Sequence, residues 1–225
     1  MNTQAHLLVA AAIFCRSNSH ARTGRASVVP GNVAVIVGAL IPDASLFVMW
    51  AAAKLRGIGD DVIWQQLYYS DYWQYIGAVT NSIPVYLALA LLGWILCKRT
   101  YPNVSAIVGQ QSKKSHWPAV LQLLACSLYL FAAAALLHCV GDLPLHADDG
   151  HPHFWPITFW IYSSPVSYWD PQYYGLYWVV IEFSIALVCV WILFRRFQSV
   201  SVKVCTILLL LLYPIAFAFW SWTMA

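Results

Sequence analysis

The sequence predicts an all-α protein, a multi-pass transmembrane helical bundle of about five to six membrane-embedded helices plus interfacial helices, forming one integral membrane domain over 1–225. Two observations predict this class. Hydrophobic residues make up 61% of the chain and charged residues 9%, with a mean hydropathy of +0.65, whereas about a quarter of the residues of a soluble domain are charged. The apolar residues also gather into runs over 76 to 97, 118 to 141, 174 to 194 and 204 to 222, each of about 20 residues and long enough to span a bilayer.

The net charge of +3 is scattered and forms no basic block, which argues against a nucleic-acid partner and leaves membrane lipid as the expected surroundings. The six cysteines, at 15, 97, 126, 139, 189 and 205, fall singly and mostly in apolar runs. They read as small core residues rather than as a disulfide or thiolate site. The first apolar run has no basic residue before it and no small-residue cleavage pattern after it, so it reads as a retained helix.

Taken in order, apolar segments 3 to 15 and 28 to 41 predict an antiparallel helix pair, with Arg16, Arg22 and Arg25 in the turn between them. Pro42-Asp43 predicts a break, because a proline inside a helix forfeits a backbone hydrogen bond, and 44 to 56 then becomes a separate interfacial helix. The basic loops are Arg16 to Arg25, Lys98 to Lys114 and Arg195 to Lys203. Placed on the cytoplasmic side, they send 118 to 141 outward, so that the histidine run after it opens on the external face. Lys54 and Arg56 fall on the external side in this threading and count against it. The two external loops carry Trp64, Tyr68, Tyr69, Tyr72, Trp73 and Tyr75, and Trp155, Trp160, Tyr162, Tyr168, Trp169, Tyr173 and Tyr174. These suit an interfacial aromatic belt, or a lid at headgroup level that admits a lipid-like molecule.

Four of the seven histidines and three of the nine acidic residues stand between His138 and His153. His138 and Asp142 are four apart and share one helix face. Pro144 predicts a helix end near Asp142 and brings His146 in from a turn. Asp148-Asp149-Gly150 has turn chemistry, and an extended His151-Pro152-His153 aims both imidazoles the same way. Imidazole with carboxylate is the donor set of a divalent metal, zinc first, with manganese or iron as alternatives. The competing reading is a polar cluster that merely caps and solvates a helix end. Ionisable groups in membrane segments are costly and tend to be functional, which favours the metal.

In the antiparallel pair, His6 and Asp43 lie about ten residues from the basic turn, roughly 15 Å along each helix, and so at similar depth. The expected ligand set is therefore His6, Asp43, His138 and Asp142, completed by His146, His151 and His153, with Asp148 or Asp149 as proton acceptor. Asn81 either hydrogen-bonds the site or caps a helix start, Glu182 either orients a ligand histidine or pairs with a neighbour, and Asp71 stands a few turns before Asn81 in a supporting place.

Together these residues resemble the membrane-bound metal-dependent hydrolases, a group also described as LexA-binding, inner-membrane-associated hydrolases. The resemblance rests on Ala5-His6-Leu7-Leu8, on Leu40-Ile41-Pro42-Asp43-Ala44-Ser45 and on His138 with Asp142, within residues 1 to 156. A second aspartate is common where Ser45 stands, and a Thr-His-Ser motif where Thr80-Asn81-Ser82 stands. The run from His138 to His146 is also similar to the zinc-ligand helix of zinc-dependent phospholipase C, a likeness of site rather than of fold. The resemblance implies hydrolysis at an inner (plasma) membrane; the aromatic loops, the membrane position and the phospholipase likeness point to a phosphoester or another ester of lipid-like character, and the basic loops to a site on the external face. The alternative, motivated by Ser45 and Asn81, is a non-catalytic membrane protein, either a metal-binding or transport component or a degenerate hydrolase.

Overall fold

Long apolar runs with few charges can satisfy their backbone in a bilayer only as helices, and helices are what the chain forms. The computed structural model describes residues 1–17, 29–100 and 119–223, among which there is no strand. Helix α1 (Thr3–Phe14) is followed by α2 (Val29–Leu55), the short α3 (Asp60–Val62) running into a π-turn over Ile63–Leu67, and α4 (Asp71–Thr80). Then come α5 (Ile83–Thr100), α6 (Ala119–Asp142), α7 (Gly175–Arg196) and α8 (Val200–Thr223). Among the described residues, four helical stretches are long and apolar enough to cross a membrane: Pro30–Leu55, Asp71–Arg99, Val120–Leu145 and Gly175–Arg196. By length and composition this is a membrane protein. Arg22, Arg25 and most of the Lys98 to Lys114 loop lie outside the described residues.

Helix α1 is too short to span but is deeply packed. Its Ala5, Leu8, Ala10 and Ala12 are buried in one core with Val35 and Ala39 of α2, Ala134 of α6, and Ala186, Cys189 and Leu193 of α7. Small side chains let the backbones approach, as is usual where apolar packing against lipid gives no preference. The closest approaches are at glycine. A Cβ on Gly38 would collide with the Phe131 backbone of α6, and one on Gly93 of α5 would lie 2.5 Å from Tyr129 N.

The α1–α2 pair is antiparallel. Arg16 N donates to Asn32 Oδ1 at 2.9 Å and Asn32 Nδ2 to Arg16 O at 2.8 Å at one end, while Thr3 Oγ1 donates to Asp43 Oδ2 at 2.6 Å at the other. Helix α7 runs parallel to α1. Its Glu182 receives the Asn2 amide, and Arg196 donates to Ala12 O and Cys15 O at 2.7 Å. Arg16 and Arg196 therefore share the end of the bundle opposite to Asp142.

Two expectations are corrected. Pro42 does not end α2, which continues unbroken to Leu55. The proline removes one donor, but side chains from elsewhere serve the carbonyls around it: His138 Nδ1 of α6 meets Ala39 O at 2.7 Å and Asn81 Nδ2 after α4 reaches Pro42 O at 3.2 Å, while Ser45 Oγ of α2 itself lies 3.4 Å from Pro42 O. This is how membrane helices tolerate proline. Second, Cys97 and Cys126 form a disulfide. They lie 29 residues apart in sequence, but the close packing of α5 on α6 brings their Cα atoms to 5.0 Å. Of the remaining cysteines, Cys15, Cys139 and Cys189 are buried and Cys205 is exposed.

Candidate metal centre

Three helices deliver the centre. His6 sits one turn into α1, Asp43 follows the proline of α2, and His138 and Asp142 occupy the last turn of α6. That helix stops at Asp142, before a 3-10 turn over Leu143–Leu145 carrying Pro144. The His6 and His138 rings stack at 3.5 Å, nearly parallel at 10°. His6 Nε2 lies 2.8 Å from Asp142 Oδ1 and His138 Nε2 3.1 Å from Asp142 Oδ2, so each oxygen of the carboxylate faces a different imidazole. His6, His138 and Asp142 are all buried and offer ligand atoms close enough together to hold a metal ion. Asp43 Oδ1 stands 3.4 Å from His138 Nε2, and His146 Nε2 3.7 Å from Asp142 Oδ1. The Met1 amino nitrogen lies 2.5 Å from Asp142 Oδ1 and adds positive charge there.

His138 is the most informative member. With its Nδ1–H donated to Ala39 O, the other nitrogen, Nε2, is buried and, among the described residues, makes no well-aligned hydrogen bond, although Asp142 Oδ2 and Asp43 Oδ1 stand 3.1 and 3.4 Å from it. A backbone carbonyl on one imidazole nitrogen is the arrangement that orients a metal-binding histidine. The two carboxylates facing Nε2 call for a cation between them, either a proton on Nε2 or a metal ion.

Beyond α6 the chain turns back over the centre. His146 lies between Asp142 and Asp149, with Nδ1 3.0 Å from Asp149 Oδ1. Burial opposes its charge, but the two carboxylates outweigh burial and raise its pKa to about 9. Asp149 is itself fixed, since Trp169 Nε1 donates to Oδ2 at 2.8 Å and Tyr68 Oη donates to its backbone carbonyl at 2.6 Å. Burial pushes its pKa up, yet the bonds from His146 and Trp169 leave it below the usual carboxylate value. His153 Nδ1 contacts Asn81 O at 3.0 Å, with Nε2 left without a hydrogen bond. His151 packs its ring 6.0 Å from those of His146 and His153, and burial lowers its pKa to about 3.

The remaining expected residues are distributed as follows. Asp148 and Asp71 are exposed and, among the described residues, make no ion pair with the centre. Asn81 is buried at the C-terminal end of α4 rather than capping a helix start, and its amide donates to Pro42 O and to Gly77 O at 3.0 Å. Ser45 Oγ accepts from Thr80 Oγ1 at 2.9 Å. Glu182 is fully buried but, among the described residues, hydrogen-bonds no histidine. It accepts from Asn2 Nδ2 at 2.8 Å and from Trp178 Nε1 at 3.2 Å, anchoring the start of α1. Thr3, which bonds Asp43, was not singled out from sequence, and a lone threonine at a helix start gives no signal of such a role. No protein-family model matches the chain, and no curated protein or solved structure matches it significantly.

Proposed function

We propose that the protein is a membrane-embedded metal-dependent hydrolase whose centre is held by His6, His138 and Asp142, with Asp43 and His146 alongside, and whose substrate is a phosphoester or other ester of lipid character. The observation that supports it best is the His138 imidazole, committed through Nδ1 to Ala39 O and aiming a buried Nε2 at two carboxylates. The imidazole and carboxylate donors suit zinc, with manganese and iron as alternatives. A metal ion held there supplies polarisation of a phosphoryl or carbonyl oxygen and acidification of a water.

The chain's own residues supply the rest. Asp142 and the carbonyl of Ala39 fix the imidazoles of His6 and His138. His146 stands between Asp142 and Asp149, with Nδ1 3.0 Å from Asp149 Oδ1, so Asp149 is the proton acceptor of this reading, reached through His146 when that imidazole is neutral. Asp149 takes that role rather than the exposed Asp148 because Trp169 and Tyr68 hold it in place. Arg16 and Arg196 at the far end of the bundle support, through the positive-inside rule, a reading in which the centre opens on the external face, and an inner (plasma) membrane is the membrane of this proposal.

The test is elemental analysis of detergent-purified protein beside His138→Ala and Asp142→Asn, followed by turnover on a panel of phosphate and acyl esters. Stoichiometric metal in the parent, its loss in both variants and metal-dependent turnover are expected. A parent without metal would mean that His138 is an imidazolium in an ion-paired cluster, and would overturn the reading. A second reading draws on Ser45 and Asn81: the Ser45 hydroxyl is bound to Thr80 and the Asn81 amide nitrogen to Pro42 O and Gly77 O, which leaves only Asn81 Oδ1 without a partner among the described residues. Full metal occupancy without turnover on any ester would favour a metal-binding protein that is not an enzyme.

A further inference from the structure

At the end of the bundle away from the centre, two arginines converge on one carbonyl. Arg196, the last residue of α7, donates through Nη1 to Ala12 O and Cys15 O at 2.7 Å. Arg16, just past α1, donates through Nη1 to the same Cys15 O at 3.1 Å and to Ile13 O at 2.9 Å. Both nitrogens reach one oxygen, so two full positive charges stand side by side. Among the described residues neither arginine forms an ion pair, and all nine acidic residues of the chain belong to the described residues, so no other carboxylate side chain can serve them. On the helices that meet here the nearest are Glu182 of α7, roughly 21 Å from Arg196 by helical rise, and Asp43 of α2, roughly 16 Å beyond Asn32. Capping α1 accounts for part of the arrangement only. The carbonyls of a helix end carry about half an elementary negative charge, against two positive charges here.

Each guanidinium also keeps an edge in reserve. It is a rigid fork of N–H donors, and only Nη1 of each is engaged, which leaves the Nε and Nη2 edges of both without an acceptor among the described residues. Such an edge fits two oxygens of a phosphate at once. Arg16 is exposed and Arg196 half-buried, so the pair is open to a ligand. Its place says where the ligand comes from. Arg196 ends the stretch Gly175–Arg196, and Asn32, which bonds the Arg16 backbone at both N and O, stands in the first turn of Pro30–Leu55, both of them long and apolar enough to cross a membrane. The pair therefore stands where spanning helices reach the headgroups. Arg195 and Lys203, over the rings of Trp191 and Phe194 at 5.9 and 5.7 Å, add positive charge beside it. We propose that Arg16 and Arg196 together bind the phosphate of an anionic phospholipid in the leaflet opposite the centre. A zwitterionic headgroup brings a cation of its own to the pair and is bound less tightly. The bound phosphate ties the end of α1 to the end of α7, two helices whose other ends are joined by Asn2 and Glu182.

Dioctanoyl phosphatidylglycerol is the probe, and native mass spectrometry of the detergent-purified full chain counts each molecule bound. A first saturable step is expected, several-fold tighter than for dioctanoyl phosphatidylcholine, which has the same chains and phosphate. Arg16→Gln and Arg196→Gln should each weaken that step by about tenfold or more, the worth of a hydrogen bond between charged groups. Arg16→Lys keeps the charge but loses the fork, and should weaken it by several-fold. Lys203→Gln removes a positive charge from the same end but outside the pair, and should leave the step unchanged. Arg16 is exposed, so its variants keep the fold, which an unchanged far-ultraviolet spectrum checks. Glycerol 3-phosphate in millimolar excess should not displace the lipid, whereas full displacement would make this a site for soluble phosphate and overturn the proposal. Equal affinity for the two lipids, equal losses in Lys203→Gln and the arginine variants, or parent-like binding by folded Arg16→Gln would overturn it as well. Binding is read without metal or turnover, so such a failure leaves the hydrolase reading as it stands.

Discussion

Asp142 shows how much one side chain has to satisfy. It is buried and faces His6, His138, His146 and the Met1 amino group, with the first two on different oxygens. Asp142→Asn keeps the shape but removes the charge and replaces one acceptor by a donor aimed at an imidazole or the amino group. Metal content is expected to fall below one-tenth of the parent, in line with the ten- to hundredfold losses on altering residues that support a site, and elemental analysis against an unchanged far-ultraviolet spectrum checks this. His151 gives a pH prediction for the chelated protein. Burial holds its imidazole down to about 3, and the neighbouring His146 and His153 add to this, while an unfolded chain titrates near 6.5. Below about pH 6.5 the unfolded state binds a proton that the folded state refuses, so the contribution of His151 is complete above that pH and is lost as the pH falls towards 3. The melting temperature of the parent should therefore decline over this window, and that of His151→Gln should decline less.

At the scale of helices, the contact of α2 with α6 sets the distance between Asp43 and His138, and Gly38 sets that contact. A side chain at Gly38 would drive into the Phe131 backbone, which cannot give way as a flexible side chain can. Gly38→Val is expected to cost roughly 1–3 kcal/mol, the range for overpacking a tight contact, and also to weaken metal binding by moving Asp43 away from His138. Gly59→Ala is the control, since a Cβ there meets nothing within 4 Å. Melting in detergent and metal retention during dialysis measure both effects.

Much of this scale was legible in the sequence. The four-residue spacing of His138 and Asp142, the helix stop before Pro144 and the matched depth of His6 and Asp43 all depend on local geometry, which a sequence carries. Continuity through Pro42 was not legible, because the groups that compensate for the proline, His138 and Asn81, lie about 96 and 39 residues further along the chain. Nor was the split of the histidine run into His146 against the centre and His151 against Tyr68 and Gly77, which depends on Tyr68 and Trp169 holding the intervening turn.

For the whole molecule, the disulfide and the centre mark different ends of the bundle. Cys126 lies about 10 Å into α6 from its start by helical rise, and Cys97 near the end of α5, whereas Asp142 closes the other end of α6. Under the positive-inside threading, the Lys98 and Arg99 end of α5 faces a reducing compartment, where soluble disulfides rarely persist. The pair is half-buried between α5 and α6, about 10 Å along α6 from its start, and this packing shields it from water-borne reductants in that threading. A membrane-impermeant phosphine should therefore leave it intact in vesicles of either orientation, while a lipid-soluble one opens it. Thiol titration of the denatured protein should find four free cysteines before reduction and six after. Closing a loop of this length is worth about 3–4 kcal/mol in the chain-entropy picture, so Cys97→Ser should melt well below the parent. Because α5 carries no ligand, the same variant should keep the parent's metal content. Six titratable thiols without reductant would remove the bond, and with it the stapled α5–α6 pair as the support on which the last turn of α6 holds His138 and Asp142.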